Sequence, residues 1–314
     1  MKFQSHLTVR HLRVVQTVGR ELSLSRAAEI LNTSQPAISR GLGEIEDLLG
    51  TRLFDRSTRH VSPTAMGRNL IWHAERILGD IDQAEADFTS LARGAGGGIT
   101  IGVLRGFTPN LLARAIQLMH ERAPGVEIIV HEGLADDLLA DLMRNRFDVI
   151  LSHLEVPKTE RGLVVDTIYR ESLGILAARR HPLTRRRQVS WHELAAQTWV
   201  LPRPGTTVRG AFDRLIQDNI GRSALSFVEV TSVHFGLALV LQSDMLAALP
   251  LHLVRWCAED LKVASRIPIR QQSLDWPICA TRMRARRASP AVLLFTDCIK
   301  AVAKQGDQFG NVDL

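Results

Sequence analysis

Four polar side chains fall within one short stretch, Ser34-Gln35-Pro36-Ala37-Ile38-Ser39-Arg40. A carboxamide such as Gln35 can exchange two parallel hydrogen bonds with an adenine edge, and an arginine such as Arg40 can grip guanine or a backbone phosphate. The hydroxyls of Ser34 and Ser39 are short enough to allow that approach. This is the chemistry of reading base edges in a DNA major groove, where polar residues must gather at the N-terminal end of a helix. Catalytic arrangements do not compete with it. The chain has no P-loop, HExxH or GxSxG stretch. The run Gly94-Ala95-Gly96-Gly97-Gly98 precedes a strand, whereas a dinucleotide turn would follow one.

Positioning those side chains requires helices in quick succession. Leu12, Val15, Val18 and Leu22 give one helical apolar face, and Ser25 is placed to cap a short second helix through Ala27, Ala28 and Leu31. After a turn at Asn32-Thr33, Ser34 is an N-cap for a third helix. Pro36 is tolerated there because first-turn amides have no intrahelical acceptor. The third helix is expected to run to Leu49 and stop at Gly50, with Ile38, Leu42 and Ile45 on its core face. Thr51 to Val61 then reads as a short basic hairpin, a wing. A bare surface helical hairpin is the alternative for this region, and the wing weighs against it.

From Thr64, an N-cap, the pattern is helical to about Leu91. Leu70, Ala74, Ile77, Ile81, Ala84, Phe88 and Leu91 alternate spacings of four and three, which is a heptad seam. Such stripes often pack on their own domain, but this one lies between two domains with no evident partner in either. A dimerising helix over 65–93 follows.

The glycine run at 94–98 marks the main boundary. Before it the period is helical; after it, β-rich runs alternate with helical stretches, as in α/β construction. Strands are expected at Ile99 to Leu104, Val126 to His131, Phe147 to Ser152, Leu173 to Ala177, Thr198 to Leu201, Phe227 to Val230, Leu246 to Leu249 and Trp276 to Thr281. Thr108 and Pro109 begin the first helix of this half, which ends near Pro124-Gly125.

Composition agrees with a two-domain chain. At 314 residues it exceeds one ordinary domain, and 45% apolar residues suffice for a core. A net charge of +6 and a pI of 9.8 suit a polyanionic partner. Cys257, Cys279 and Cys298 lie far apart without metal-ligand spacing, so they read as reduced, buried thiols, with a redox switch as the lesser alternative. No metal site, cofactor motif, signal-peptide core or bilayer-spanning apolar run is evident, which places the protein in the cytoplasm, away from membranes. The clusters Arg179-Arg180 with Arg185-Arg186-Arg187, and Arg282-Arg284-Arg286-Arg287, read most simply as solvated surface.

Taken together, Ser25-Arg26-Ala27-Ala28, Ser34-Gln35-Pro36-Ala37-Ile38-Ser39, Ile45-Glu46, Leu48-Leu49-Gly50, Leu53-Phe54-Asp55-Arg56 and Pro63-Thr64 resemble the LysR-type family of bacterial transcription regulators. The resemblance implies an N-terminal all-α winged helix-turn-helix over 7–64, the dimerising linker over 65–93, and a C-terminal effector-binding domain over 94–314. The last is expected to be a two-subdomain α/β fold like the periplasmic binding proteins, with one subdomain at about 98–168 and 268–314 and the other at about 169–267. The DNA-facing set under this reading is Arg26, Ser34, Gln35, Pro36, Ala37, Ser39 and Arg40, with Arg56 and Arg59 on the wing. Two departures stand out: Gly41 and Gly43 occupy the recognition helix where the family usually has larger residues, and Gln242-Ser243-Asp244-Met245 replaces a commonly glycine-rich turn.

Ligands in such folds sit at strand C-termini and helix N-termini, where amides are offered to anions or hydroxyls. The candidates are Arg105, Gly106, Phe107 and Thr108; Leu134; Pro202, Arg203, Thr206 and Thr207; and Thr231, Ser232 and His234. Arg105 and Arg203, each after a strand end, point to an organic anion, with a neutral sugar as the alternative. His153 also follows a strand end and reads as a structural hydrogen bonder. The expected partners are double-stranded DNA, a small organic effector and further copies of the chain in a dimer of dimers, with RNA polymerase as a further candidate. An enzyme and a transport receptor are the rival classes. The first lacks a motif, and the second lacks a signal peptide and is contradicted by the helix-turn-helix.

Overall fold

A computed structural model of the chain describes residues 7–57, 60–92, 97–107, 109–153, 162–221, 225–269, 274–286 and 288–307. It forms two compact units, Met1–Gly98 with Ala140–Phe147, and Ile99–Leu139 with Asp148–Leu314.

In the first unit, α1 (Val9–Glu21), α2 (Leu24–Ile30) and α3 (Gln35–Leu49) lead into the hairpin β1 (Phe54–Ser57) and β2 (His60–Pro63), and then into α4 (Ala65–Ala92). Thr8 caps α1 in a reciprocal box with His11, and Leu22 ends it in the left-handed region at φ 51°. That early stop moves the next cap forward: Ser23 caps α2, its hydroxyl accepting the Arg26 amide at 3.3 Å. Ser25, expected at the cap, lies inside the helix instead. Ser34 caps α3 and Gly50 closes it at φ 64°, as the sequence indicates. Val15, Val18, Ala27, Ile38, Leu42 and Ile45 form the shared core, to which Leu53, Phe54 and Leu70 are added. The Glu46 carboxylate accepts the amides of Leu53 at 2.8 Å and Phe54 at 3.2 Å, so α3 itself fixes where the wing starts.

Thr64 caps α4, its hydroxyl accepting the Gly67 amide at 3.0 Å. The seam on this helix needs correction. Leu70 and Ala74 are only 8% and 0% exposed, and both pack within their own chain, Leu70 with Val15 and Val18 of α1 and Ala74, beside Leu78, with Leu12 of α1. Ile77 and Phe88, by contrast, are 44% and 76% exposed. With 3.6 residues per turn, Leu70, Ile71, Ala74 and Leu78 centre on one face, while Ile77, Ile81, Ala84 and Phe88 centre on a neighbouring face rotated by roughly 65°. A sequence stripe one heptad wide merged two faces that the fold separates. The side chain of Leu91 lies outside the described residues. On its polar side, α4 meets the 140–147 segment through Glu75 and Arg144 at 2.6 Å and through Asp80 and Asn145 at 2.8 Å.

The second unit holds two five-stranded sheets. The first has the order β4-β3-β5-β12-β6, built from β3 (Gly98–Leu104), β4 (Glu127–Gly133), β5 (Val149–Ser152), β6 (Leu163–Glu171) and β12 (Trp276–Met283). The second has the order β11-β7-β10-β8-β9, from β7 (Leu173–Ala178), β8 (Thr198–Pro202), β9 (Ser226–Val230), β10 (Leu246–Pro250) and β11 (Ala264–Arg266). The chain passes between sheets at Ser172 and returns between Arg266 and Trp276. Parallel pairs β3–β5, β8–β10 and β8–β9 make this an α/β fold, and antiparallel β12 and β7 mark the crossings. Helices α5 (Pro109–Arg122), α6 (Ala135–Met143), α7 (Trp191–Ala195), α8 (Thr207–Ile220), α9 (Val233–Gln242), α10 (Leu251–Arg255) and α11 (Pro290–Asp307) supply the connections. All eight expected strands are present to within a few residues, and β6 and β11 add two more. β6 interleaves Asp166 and Arg170 with apolar residues and gains its identity from the long antiparallel register with β12.

The basic clusters are solvated only in part: Arg185, Arg186 and Arg187 are exposed, whereas other members are engaged. Arg179 donates to the Lys262 carbonyl at 3.0 Å, Arg284 donates to the Leu163 carbonyl at 3.2 Å, and Arg286 pairs with the buried carboxylate of Asp148 at 3.1 Å. Arg180 donates to the carbonyls of Leu241 and Ser243, each at 3.2 Å, and Ser243 donates to Leu239 at 2.6 Å. Those bonds close the 242–245 turn without a glycine. Among the described residues no helix is long and apolar enough to cross a membrane, and no cluster of His, Cys, Asp or Glu could hold a metal ion.

Candidate functional site

Two surfaces gather the residues that the sequence singles out. On the first unit, the N-terminal turn of α3 projects Gln35, Pro36 and Arg40 into solvent, with Ser39 half-buried behind them. The Ser34 hydroxyl is occupied in capping, accepting the Ala37 amide at 3.4 Å, so its role here is to start the helix at that point. Ser25, displaced from its expected cap, donates its hydroxyl to the Gln35 side-chain carbonyl at 3.4 Å. That long contact falls on the carbonyl side of the carboxamide, not on its NH2. Arg26 lies on the exposed side of α2 and pairs with Glu29 at 2.7 Å. Arg56 is in β1 opposite Val61, and Arg59 lies outside the described residues.

Sequence reading did not single out Arg10 and Arg13. With Arg40, Ala37, Gly41 and Glu44 they line a groove of about 400 Å³ between α1 and α3. The only sequence signal was their spacing of three, which puts both guanidinium groups on one side of α1. Three exposed arginines and one glutamate give that groove a cationic rim.

The second surface is a cavity of about 460 Å³ in the second unit, within the usual range for small-ligand sites. Arg105, Gly106 and Phe107 line it after β3, Glu132 lines it from β4, and Thr231, Ser232 and His234 line it at the start of α9. Its far wall is Leu237, Leu241, Leu253, Trp256 and Cys257. Gly106 sits at φ 83°, where a side chain is strained, and a Cβ there would press on Val233 at 3.2 Å, so this turn favours glycine. Ser232 caps α9, accepting the Phe235 amide at 3.3 Å. The remaining first-turn amides of that helix have no intrahelical acceptor and present partial positive charge at the same mouth. Asn110 of α5 donates to Asp260 at 3.0 Å.

The other candidates are not brought there. Pro202, Arg203, Thr206 and Thr207 form the entry turn of α8 and do not line the cavity. The Thr206 hydroxyl donates to the Arg203 carbonyl at 3.1 Å and accepts the Arg209 amide, and the Arg209 guanidinium donates to Pro202, pairs with Asp213 at 2.9 Å and covers Phe227 at 5.1 Å. This turn is a closed structural unit. Leu134 precedes α6 and is likewise outside the lining, and Thr108 lies outside the described residues. Arg105 and Arg203 therefore do not face one cavity. Both follow strand ends, but their strands belong to different sheets, and nothing local in the sequence gives the distance between them.

The three cysteines are free and buried. Burial pushes the thiols of Cys257 and Cys298 above the usual range, so neither is an activated thiolate, although Cys257 touches the cavity wall. Burial holds the His153 imidazole below its ordinary value, partly offset by a hydrogen bond with its own backbone.

Comparisons with known proteins agree with both halves. Residues 9–68 match the family described as bacterial regulatory helix-turn-helix proteins, lysR family, and residues 92–304 match the LysR substrate binding domain. The transcriptional regulator CfxR of Cupriavidus necator is 33% identical over 69% of this chain and 68% of its own length. The uncharacterised regulator YdcI of Escherichia coli K12 is 28% identical over 96% of this chain and 97% of its own. The fold matches that of full-length CbnR crystallised with its target DNA, with a TM-score of 0.66 at 20% identity, covering 94% of this chain and all of that one.

Proposed function

The chain belongs to the LysR-type family of DNA-binding transcriptional regulators with an effector-binding domain, and from that premise we propose how its own residues divide the work. Gln35, Ser39 and Arg40 read base edges, with Pro36 and Ala37 beside them, while Arg26, Arg56 and Arg59 contact backbone phosphates. The carrying observation is the exposed α3 N-terminus, where the Gln35 carboxamide faces solvent with the Ser25 hydroxyl 3.4 Å away. Titration of the full-length protein with operator and with random duplex tests it. Gln35→Ala is expected to reduce operator affinity by about 1–3 kcal/mol and to leave random-duplex affinity nearly intact, because base contacts specify while phosphate contacts position. Equal losses on both duplexes overturn the assignment.

The second unit senses a small organic anion. Arg105 is its counter-charge, the start of α9 supplies amide and hydroxyl donors at Thr231, Ser232 and His234, and Phe107 closes the side of the cavity. Arg203 has no part in this site. Further copies associate through the exposed face of α4 at Ile77, Ile81, Ala84 and Phe88, giving a dimer and then a dimer of dimers. Two subunits bring two α3 helices to two half-sites, the usual geometry for this class of motif. CbnR was crystallised with target DNA, which supports double-stranded DNA as partner here. The protein acts by binding, without catalysing a reaction, beside DNA in the cytoplasm and within reach of RNA polymerase.

A further inference from the structure

We infer that the cavity of the second unit selects a zwitterion with a large apolar side chain, the chemistry of an aromatic or branched α-amino acid; this rests on reading that cavity as the effector site. Its mouth carries both signs of charge. Arg105, just after β3, and Glu132 of β4 both line it, the Arg105 amide donating to the Gly133 carbonyl at 2.9 Å, so the two side chains arise from nearby backbone positions. Both are exposed, and among the described residues neither forms an ion pair, with the other or with any third group. The α9 N-terminus reinforces Arg105 on the cationic side. Behind this mouth the surface changes character. Leu237 and Trp256, each half-buried, with Leu253 and Cys257 packed behind them, make an apolar wall that offers no counter-charge.

Each simpler ligand leaves one of these features unmatched. A plain carboxylate satisfies Arg105 but brings a like charge against Glu132. A plain amine does the reverse. A small zwitterion such as alanine satisfies both charges and leaves the apolar wall in contact with water, although the cavity, at about 460 Å³, has room for a benzyl or indole group. An α-amino acid with a large apolar side chain matches all three, its carboxylate gripped by the guanidinium, its ammonium beside Glu132 and its side chain against Leu237 and Trp256.

Calorimetry on the full-length protein tests this with L-phenylalanine, L-leucine, L-tryptophan, L-alanine, 3-phenylpropionate and 2-phenylethylamine as probes. At least one of the three large amino acids is expected to bind about tenfold or more tightly than alanine. Phenylalanine should exceed both 3-phenylpropionate and 2-phenylethylamine by about tenfold, the scale of one charge-assisted hydrogen bond. Glu132→Gln should erase the advantage over 3-phenylpropionate, and Arg105→Gln the advantage over 2-phenylethylamine. Both positions are exposed, so neither change disturbs the core. If 3-phenylpropionate binds the parent protein as tightly as phenylalanine and loses affinity in Arg105→Gln, the zwitterion inference is overturned while the anion reading of the cavity stands. If only 2-phenylethylamine binds, both are overturned; if none of the probes binds, the zwitterion inference is overturned while the anion reading stands.

Discussion

Gly41 and Gly43 lie in the interior of α3, the helix that must hold its shape against DNA, and each is a weak helix former. Replacing either with alanine should stabilise the first unit by about 1 kcal/mol, the difference in helix propensity between the two residues. The structure decides whether that gain is realised. A Cβ built on Gly41 or Gly43 meets nothing within 4 Å, and neither residue has the positive φ that would strain a side chain. Neither packing nor backbone conformation therefore opposes the substitution, and the full propensity term should appear. Two positions facing open space are expected to act additively, so the double variant should gain about 2 kcal/mol. Hydrogen exchange of the α3 amides in the full-length protein reads this directly. Opening that costs about 1 kcal/mol more slows exchange by about fivefold, and about 2 kcal/mol slows it by about thirtyfold. No charge changes, so the salt dependence of random-duplex binding should keep its slope. Unchanged or faster exchange would refute the reasoning, because it would mean that the helix is held by something other than its own propensity and the core face at Ile38, Leu42 and Ile45.

The remaining predictions concern the wing, the seam and acid stability. Glu46→Ala removes a carboxylate that accepts two backbone amides and should cost about 1.5–3 kcal/mol in urea unfolding of the first unit; an unchanged midpoint would show that those amides find other partners. Ile81→Asp places a charge at a half-buried position on the apolar face of α4 that carries exposed Ile77 and Phe88 and should shift sedimentation of the full chain toward monomer, whereas Leu78→Asp, on the face buried against α1, should unfold the first unit instead. Retention of the parent assembly by Ile81→Asp would place the subunit contact elsewhere. Because the folded pKa of His153 lies below its ordinary value of 6.5, the unfolded chain takes up the proton first. Stability from this group is therefore complete above that value and is lost as pH falls through the folded one. The urea midpoint should drop between pH 7.5 and pH 5.5, and His153→Gln should flatten that drop; an identical acid slope in the variant would remove His153 as its cause.

Much of the fold was legible in the chain because its signals are local. Caps at Ser34 and Thr64, the stop at Gly50, the turn at Asn32-Thr33 and the period of Ile38, Leu42 and Ile45 each act within a turn or two of backbone, and the structure keeps all of them. Where a local signal had a near-equivalent neighbour, sequence chose wrongly. Ser23 and Ser25 both suit a cap, and the early left-handed end of α1 at Leu22 selects the first.

What needed the tertiary structure is whatever depends on how distant segments meet. The stripe on α4 has one period in sequence, yet α1 covers Leu70 and Ala74 and leaves Ile77 and Phe88 exposed, because a helix presents neighbouring faces to different partners. β6 is specified by pairing with β12 more than a hundred residues away, a register that no window of sequence contains. The cavity shows the same division. Residue types after strand ends were readable one at a time, and of those picked out that way Arg105, Thr231, Ser232 and His234 line the cavity. Arg203 does not, and Glu132 and the apolar lining were not picked out, because a cavity is defined by chain crossings between two sheets, and side chains adjacent across such a crossing carry no mark of it in their own neighbourhoods.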